Sequence, residues 1–154
     1  MINIFIQAIG KERSAEMLVL QREYLKRMQW KININEYPQQ DVSRDIAEIK
    51  KVESTMLLKN ISNNALIIVL DELGEMYDSQ KFADFIGKSI DNGVKEVAFL
   101  IGGAHGHSDE LKSNQYKTIS LSKMTLPHKL VRLILIEQLY RAYTIIIGHP
   151  YHKP

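Results

Sequence analysis

Four short segments of this 154-residue chain combine side chains that could do chemistry. Gly102-Gly103-Ala104-His105-Gly106 is rich in glycine, which lets a backbone approach a ligand closely or take positive φ. Leu70-Asp71-Glu72-Leu73-Gly74 sets two adjacent carboxylates before a glycine, and Leu121-Ser122-Lys123-Met124-Thr125-Leu126 mixes hydroxyls, an amine and apolar groups. The chain then closes on Gly148-His149-Pro150-Tyr151-His152-Lys153-Pro154, dense in stacking, hydrogen-bonding and cationic groups. Tyr and His rings stack on unpaired bases while Lys meets phosphate, so this tail suits RNA contact; its composition fits a disordered chain end equally well.

Each segment carries a competing reading. The glycine run suits a nucleotide-sized pocket or a tight turn with no ligand. It is not the dinucleotide fingerprint, which needs GxGxxG after an early strand and an acid about 20 residues on. Asp71 and Glu72 could act as acid and base, but a strand-end Asp more often caps a turn through its side chain, and that reading is preferred. His105, His107 and Asp109, with His149 and His152, have some of the spacing of a metal site, yet no second carboxylate accompanies them and no metal is expected. Glu137 and Arg141, four apart in the favourable order, read as an ordinary helix ion pair.

The hydropathy pattern supplies the elements that must position these groups. Ile2, Ile4, Ile6 and Ala8 alternate with Asn3, Phe5 and Gln7 in a strand that Gly10 stops. A helix over about 12–28 follows, burying Met17, Leu18, Leu20, Tyr24 and Leu25, with Trp30 near its exit. Lys31 to Tyr37 alternates as a second strand ended by Pro38. Asp41 or Ser43 can cap a helix to about Lys59, with Val42, Ile46, Ile49, Val52 and Met56 on its apolar face. ALIIVL at 65–70 is continuously apolar, as expected of a strand covered on both faces in a parallel sheet, and DELGE follows as a turn. A helix over 79–90, a buried strand over 94–101, a short helix over 108–113 and a strand over 116–121 come next. Thr125 or Ser122 could cap the last helix, which carries Pro127 in its first turn and runs to about Ile146.

This alternation predicts one α/β domain over 1–154, a mostly parallel sheet with helices on both faces. Ligands of such sheets sit beyond the carboxyl ends of the strands, where three of the four segments fall. The last helix is apolar over a wide arc, with Leu130, Leu133 and Ile134 on one stripe and Val131, Leu135 and Leu139 on the next. Its excess surface suits either another subunit or a deep core.

Charge and composition exclude several classes. Without cysteine there are no disulfides, thiolate metal sites, iron-sulfur clusters or cysteine nucleophiles. No apolar run approaches the ~20 residues a bilayer crossing needs, and the opening residues lack a basic region and cleavage site, so a cytoplasmic protein is expected. The net charge of +2 conceals an asymmetry: residues 112–154 hold seven bases against one acid, while the first 111 hold 13 bases and 17 acids. Such a basic end attracts phosphate backbones, or is simply a solvated cationic face.

Taken together, Phe99 to Gly106, Ser120 to His128, Glu137-Gln-Leu-Tyr-Arg-Ala142 and His149-Pro-Tyr-His-Lys153 closely resemble the RlmH family, ribosomal RNA large-subunit methyltransferases of the SPOUT superfamily. Ile9-Gly10-Lys11, Tyr24 to Arg27 and Leu70-Asp71-x-x-Gly74 also match, so the resemblance spans the chain. It implies a homodimer with a C-terminal trefoil knot, against the usual rule that chains are unknotted. It implies S-adenosylmethionine as methyl donor, held by Leu70, Gly102, Gly103, Leu121, Ser122, Lys123, Met124, Thr125 and Leu126. The implied acceptor is N3 of a pseudouridine in 23S ribosomal RNA, on the assembled ribosome. Tyr151 and His152 are the candidates for positioning or proton removal, and Arg141, His149 and Lys153 for RNA phosphate or the partner subunit. Lys153 stands where Arg is frequent and lacks its bidentate fork. The alternatives are a non-catalytic RNA- or ribosome-binding module of the same fold, and a SPOUT methyltransferase for another RNA position.

Overall fold

A computed structural model describes residues 1–40, 45–113 and 115–154. The chain runs β1 (Asn3–Ile9), α1 (Ala15–Leu25), β2 (Lys31–Tyr37), α2 (Ile46–Leu57), β3 (Leu66–Met76), α3 (Ser79–Asp91), β4 (Glu96–Ile101), α4 (Asp109–Lys112), β5 (Lys117–Ser120) and α5 (His128–Ile147). The sheet order is β2-β1-β4-β3-β5, and every pairing is parallel. The predicted α/β architecture with helices on both faces is therefore what the chain adopts.

The period-two pattern divides the strands between two cores. Ile4, Ile6, Ile68, Val97 and Phe99 face one side, where Phe82 and Ile86 of α3 and Leu135, Ile136 and Leu139 of α5 cover them. Ile9, Val69 and Leu100 face the other side with Leu57 of α2 and Leu111 of α4. Burying the strands from both faces explains why 65–70 and 96–101 carry hydrophobic runs and not an alternation.

Several expectations need correction. The DELGE segment is not a simple turn: β3 continues through it to Met76, pairing with Ile119 through Leu70 and again through Glu75, with a four-residue register shift between. Gln7, on the opposite face of β1 from Ile4 and Ile6, is buried, and its amide N–H groups meet the Leu57 and Lys59 carbonyls at 3.1 and 3.0 Å. Leu20 is exposed on α1, which is capped by Ser14 and starts later than predicted. On α2 the buried face is Ile49, Glu53, Ser54 and Leu57, while Ile46 is exposed; the expected caps Asp41 and Ser43, and Val42, lie outside the described residues. Neither Ser122 nor Thr125 caps α5, whose N-cap is Pro127 with no side-chain hydrogen bond.

The two stripes of α5 have different fates. Leu135 and Leu139 are fully buried, whereas Leu130, Ile146 and Ile147 keep 42%, 42% and 55% of their surface exposed. The exposed apolar groups thus sit at the two ends of the helix, Leu130 in its first turn and Ile146 and Ile147 in its last, while its middle is core.

Candidate functional site

A cleft of about 630 Å³ opens at the carboxyl ends of β3, β4 and β5. Its walls are the three loops the residue types had singled out: 70–73, 101–107 and 121–127. Leu70, Gly102, Gly103, Leu121, Ser122, Met124, Thr125 and Leu126 all line it, and Lys123 alone of the nine implied donor residues does not. Lys123 is exposed.

Backbone and side-chain hydrogen bonds shape each wall. Asp71 accepts the Leu73 N–H at 2.9 Å, the turn-capping role preferred from the sequence. Gly74 then passes so close to β5 that a Cβ there would lie 2.7 Å from the Ile119 carbonyl carbon, which requires glycine. Across the cleft mouth the Thr125 hydroxyl donates to Glu72 at 2.9 Å, tying the first loop to the third. In the glycine run, Gly106 takes φ +79° and its N–H closes on the Gly103 carbonyl at 3.0 Å.

His107 joins two walls. It is 2% exposed, and its Nε2 lies 3.0 Å from the Leu70 carbonyl oxygen. A carbonyl can only accept, so Nε2 carries the proton and Nδ1 the lone pair. Burial pushes this histidine below its usual range, despite the opposing pull of the Leu70 carbonyl and Asp71. One of the loop histidines weighed as a metal ligand is thus a neutral crosslink between β3 and the glycine run. The sequence signal for it was weak, a histidine just after a glycine turn.

The tail forms a second cluster at the far end of α5. Gly148 ends the helix in the left-handed region at φ +75°, and the His149 N–H bonds back to the Thr144 carbonyl at 2.8 Å. The chain therefore turns back along α5 instead of fraying. Tyr151 packs edge-on against Tyr140 with ring centroids 4.7 Å apart, and its hydroxyl donates to Glu137 at 3.0 Å. Arg141 donates to the same Glu137 oxygen, lies 4.9 Å from the Tyr151 ring centroid, and donates to Nδ1 of His152 at 3.2 Å. Burial, reinforced by Glu137, pushes the Tyr151 hydroxyl up to about 12, so it is protonated at neutral pH. The Tyr151 N–H donates to Nδ1 of His149 at 3.2 Å, and Lys153 is exposed.

Glu137 forms the helix ion pair with Arg141 that their spacing predicts and is also the hub of the cluster, because Tyr151 donates to the same oxygen. Helical spacing reveals its partnership with Arg141, but nothing local says that Tyr151 returns to it. Cleft and tail do not meet within one chain: Arg141 lies roughly 20 Å along the helix axis from His128, which borders the cleft, at 1.5 Å per residue.

A family model described as "Predicted SPOUT methyltransferase" matches residues 2–152. Three relatives carry the name "Ribosomal RNA large subunit methyltransferase H". That of Trichlorobacter lovleyi is 49% identical over 107 residues, 70% of each chain. That of Paramagnetospirillum magneticum is 37% identical over 155 residues, 99% of this chain and 100% of its own, and that of Flavobacterium psychrophilum is 35% identical over 98% and 99%. With a cleft at the strand ends, a glycine run and the tail as far as His152 inside the matched region, the chain belongs to the RlmH family of SPOUT methyltransferases.

Proposed function

We propose that this protein transfers a methyl group from S-adenosylmethionine to N3 of a pseudouridine in 23S ribosomal RNA, acting on the assembled ribosome in the cytoplasm. The observation that carries the reading is the convergence of eight of the nine implied donor residues, from three distant stretches of chain, on one cleft. Its volume lies within the ~300–1,000 Å³ of small-molecule sites. The residues fit such a donor: the wall formed by Gly102 and Gly103 has no side chains, so backbone groups lie open to a nucleoside, and apolar Leu70, Leu121 and Leu126 flank it.

The sulfonium of the donor supplies an already activated methyl, which leaves the protein two tasks, alignment and help with loss of the N3 proton. The backbone of 102–103 and of 121–126 holds the donor, and Arg141, His149 and Lys153 take RNA phosphate. Arg141 has no acceptor atom, so its bond to Nδ1 of His152 leaves the proton on Nε2. His152 in this tautomer offers an N–H to a carbonyl oxygen of the imide, which stabilises the N3 anion left as the N3 proton passes to solvent, and protonated Tyr151 likewise positions and does not abstract.

The enzyme works as a homodimer, with the tail of one subunit completing the cleft of the other. Two observations support this: the separation of cleft and tail within a chain, and the exposed apolar side chains at the two ends of α5, Leu130 at one and Ile146 and Ile147 at the other. The trefoil knot is part of the same proposal, supported by the 71–74 bulge laid across β5 just before the chain enters the 121–127 loop.

The test is transfer of labelled methyl from S-adenosylmethionine to ribosomes from a strain lacking this protein, read by nucleoside mass spectrometry. Methylated pseudouridine is expected. A different modified nucleoside would point to another RNA position, and failure to bind the donor would leave a non-catalytic module.

A further inference from the structure

The inward face of α2 is half polar, and the function above makes no use of it. Ile49 and Leu57 pack as expected, but between them Glu53 and Ser54 are buried to 2% and 6% exposure. Burying a carboxylate and a hydroxyl is costly unless they are bonded, so what they face identifies their task; Glu53 Oε1, the oxygen behind the glycine loop, has no hydrogen-bond partner among the described residues. Both point at the glycine loop. The Ser54 hydroxyl accepts the N–H of Ser108 at 3.1 Å, and Ser108 in turn caps α4 by accepting the Leu111 N–H. The Glu53 carboxylate stands directly behind Gly103: a Cβ on Gly103 would lie 3.0 Å from its Oε1 and 3.1 Å from Ile9 Cγ2. Glu53 Oε2 also accepts the Gln40 N–H at 3.2 Å, which anchors the carboxylate to the segment after β2.

We propose that Glu53 and Ser54 are positioning residues for the methyl donor. They touch neither donor nor RNA. They form a polar backplate that fixes residues 103–108 from behind, so that the open face of Gly102 and Gly103 is already shaped when the donor arrives. A loop turning through Gly103 and Gly106 has few side chains of its own to hold it. Pre-ordering lowers the entropic cost of binding, so its loss should appear as weaker donor binding with little change in the chemical step. The proposal rests on the reading of the cleft as the donor site.

The test compares Ser54→Ala, Ser54→Thr and Glu53→Gln with the unmodified protein. Calorimetry gives the Kd for S-adenosylmethionine and S-adenosylhomocysteine, and ribosome methylation gives KM for donor and for ribosomes. For Ser54→Ala, losing one hydrogen bond predicts a roughly two- to tenfold rise in donor Kd and KM. Its kcat and ribosome KM should stay within about twofold, and Ser54→Thr should restore donor affinity. Glu53→Gln, which keeps the shape and removes the charge, should shift donor affinity in the same direction and covers the case in which Ser54→Ala does not fold. Unchanged donor Kd in both Ser54→Ala and Glu53→Gln would overturn the proposal, as would a parallel loss of donor and ribosome affinity that tracks Tm. If the unmodified protein binds neither nucleoside, the donor-site reading itself falls; normal binding with unaffected variants removes only the backplate.

Discussion

Arg141 donates to Nδ1 of His152 at 3.2 Å, and this single contact sets which ring nitrogen of His152 faces outward with a proton. A histidine so held is a hydrogen-bond donor. Replacing it distinguishes donation from base catalysis: His152→Gln, whose amide can donate from a similar position, should keep a substantial part of the methylation rate. His152→Ala should lose roughly 10²-fold or more, at the lower end of what a positioned group contributes. Donor binding by calorimetry should change little in either variant, and equal loss of methylation and donor affinity in His152→Ala would rule the assignment out.

Tyr151 gives a pH signature. Its folded-state value is raised from 10.0 to about 12, so the stability it contributes is complete below pH 10 and is lost as pH rises through 12. Tyr151→Phe should therefore flatten the alkaline limb of the stability curve between pH 10 and 12, measured by urea unfolding. The same substitution should leave the pH dependence of methylation between 6 and 9 unchanged, because the hydroxyl does not titrate there.

His107 predicts an effect at the opposite end of the scale. Burial lowers its value below the usual 6.5, so the folded state favours the neutral ring; the associated stability is present above 6.5 and is lost as pH falls through the lower folded value. His107→Phe should weaken that acid limb in thermal unfolding followed from pH 7 to 5. It also removes the bond to the Leu70 carbonyl, so donor Kd should rise even at pH 8.

Gly74, next to the cleft wall, makes the closest backbone approach of any glycine in the chain. A Cβ there would lie 2.7, 2.8 and 2.9 Å from backbone atoms of Ile119 and Thr118, which cannot rotate away. Gly74→Ala should destabilise the protein by about 1–3 kcal/mol, the usual cost of overpacking, and should weaken donor binding by moving the 71–74 bulge. Chemical denaturation and calorimetry check the two effects; a neutral result in both would mean the bulge is free to lift off β5.

The sequence by itself determined the order and type of the elements, because hydrophobic period and chain punctuation are local properties. KININEY matches β2 residue for residue, and ALIIVL and VAFLI announce strands covered on both sides. The chemistry-bearing loops were legible for the same reason: glycines, paired acids and a His-rich tail stand out in a linear reading, and a resemblance spanning the chain joined them. Tertiary structure decided everything that depends on contact between distant segments. The burial of Gln7 and Glu53, the hydrogen bond from His107 to Leu70, the return of Tyr151 to Glu137 and the second pairing of β3 with β5 link residues 13 to 50 positions apart in the chain. No propensity or spacing encodes such pairs, since a polar side chain reads as solvated until the fold supplies a buried partner. The separation of cleft and tail is likewise a consequence of a long α5, whose length the sequence announced but whose two ends only the packed fold assigned to different sites.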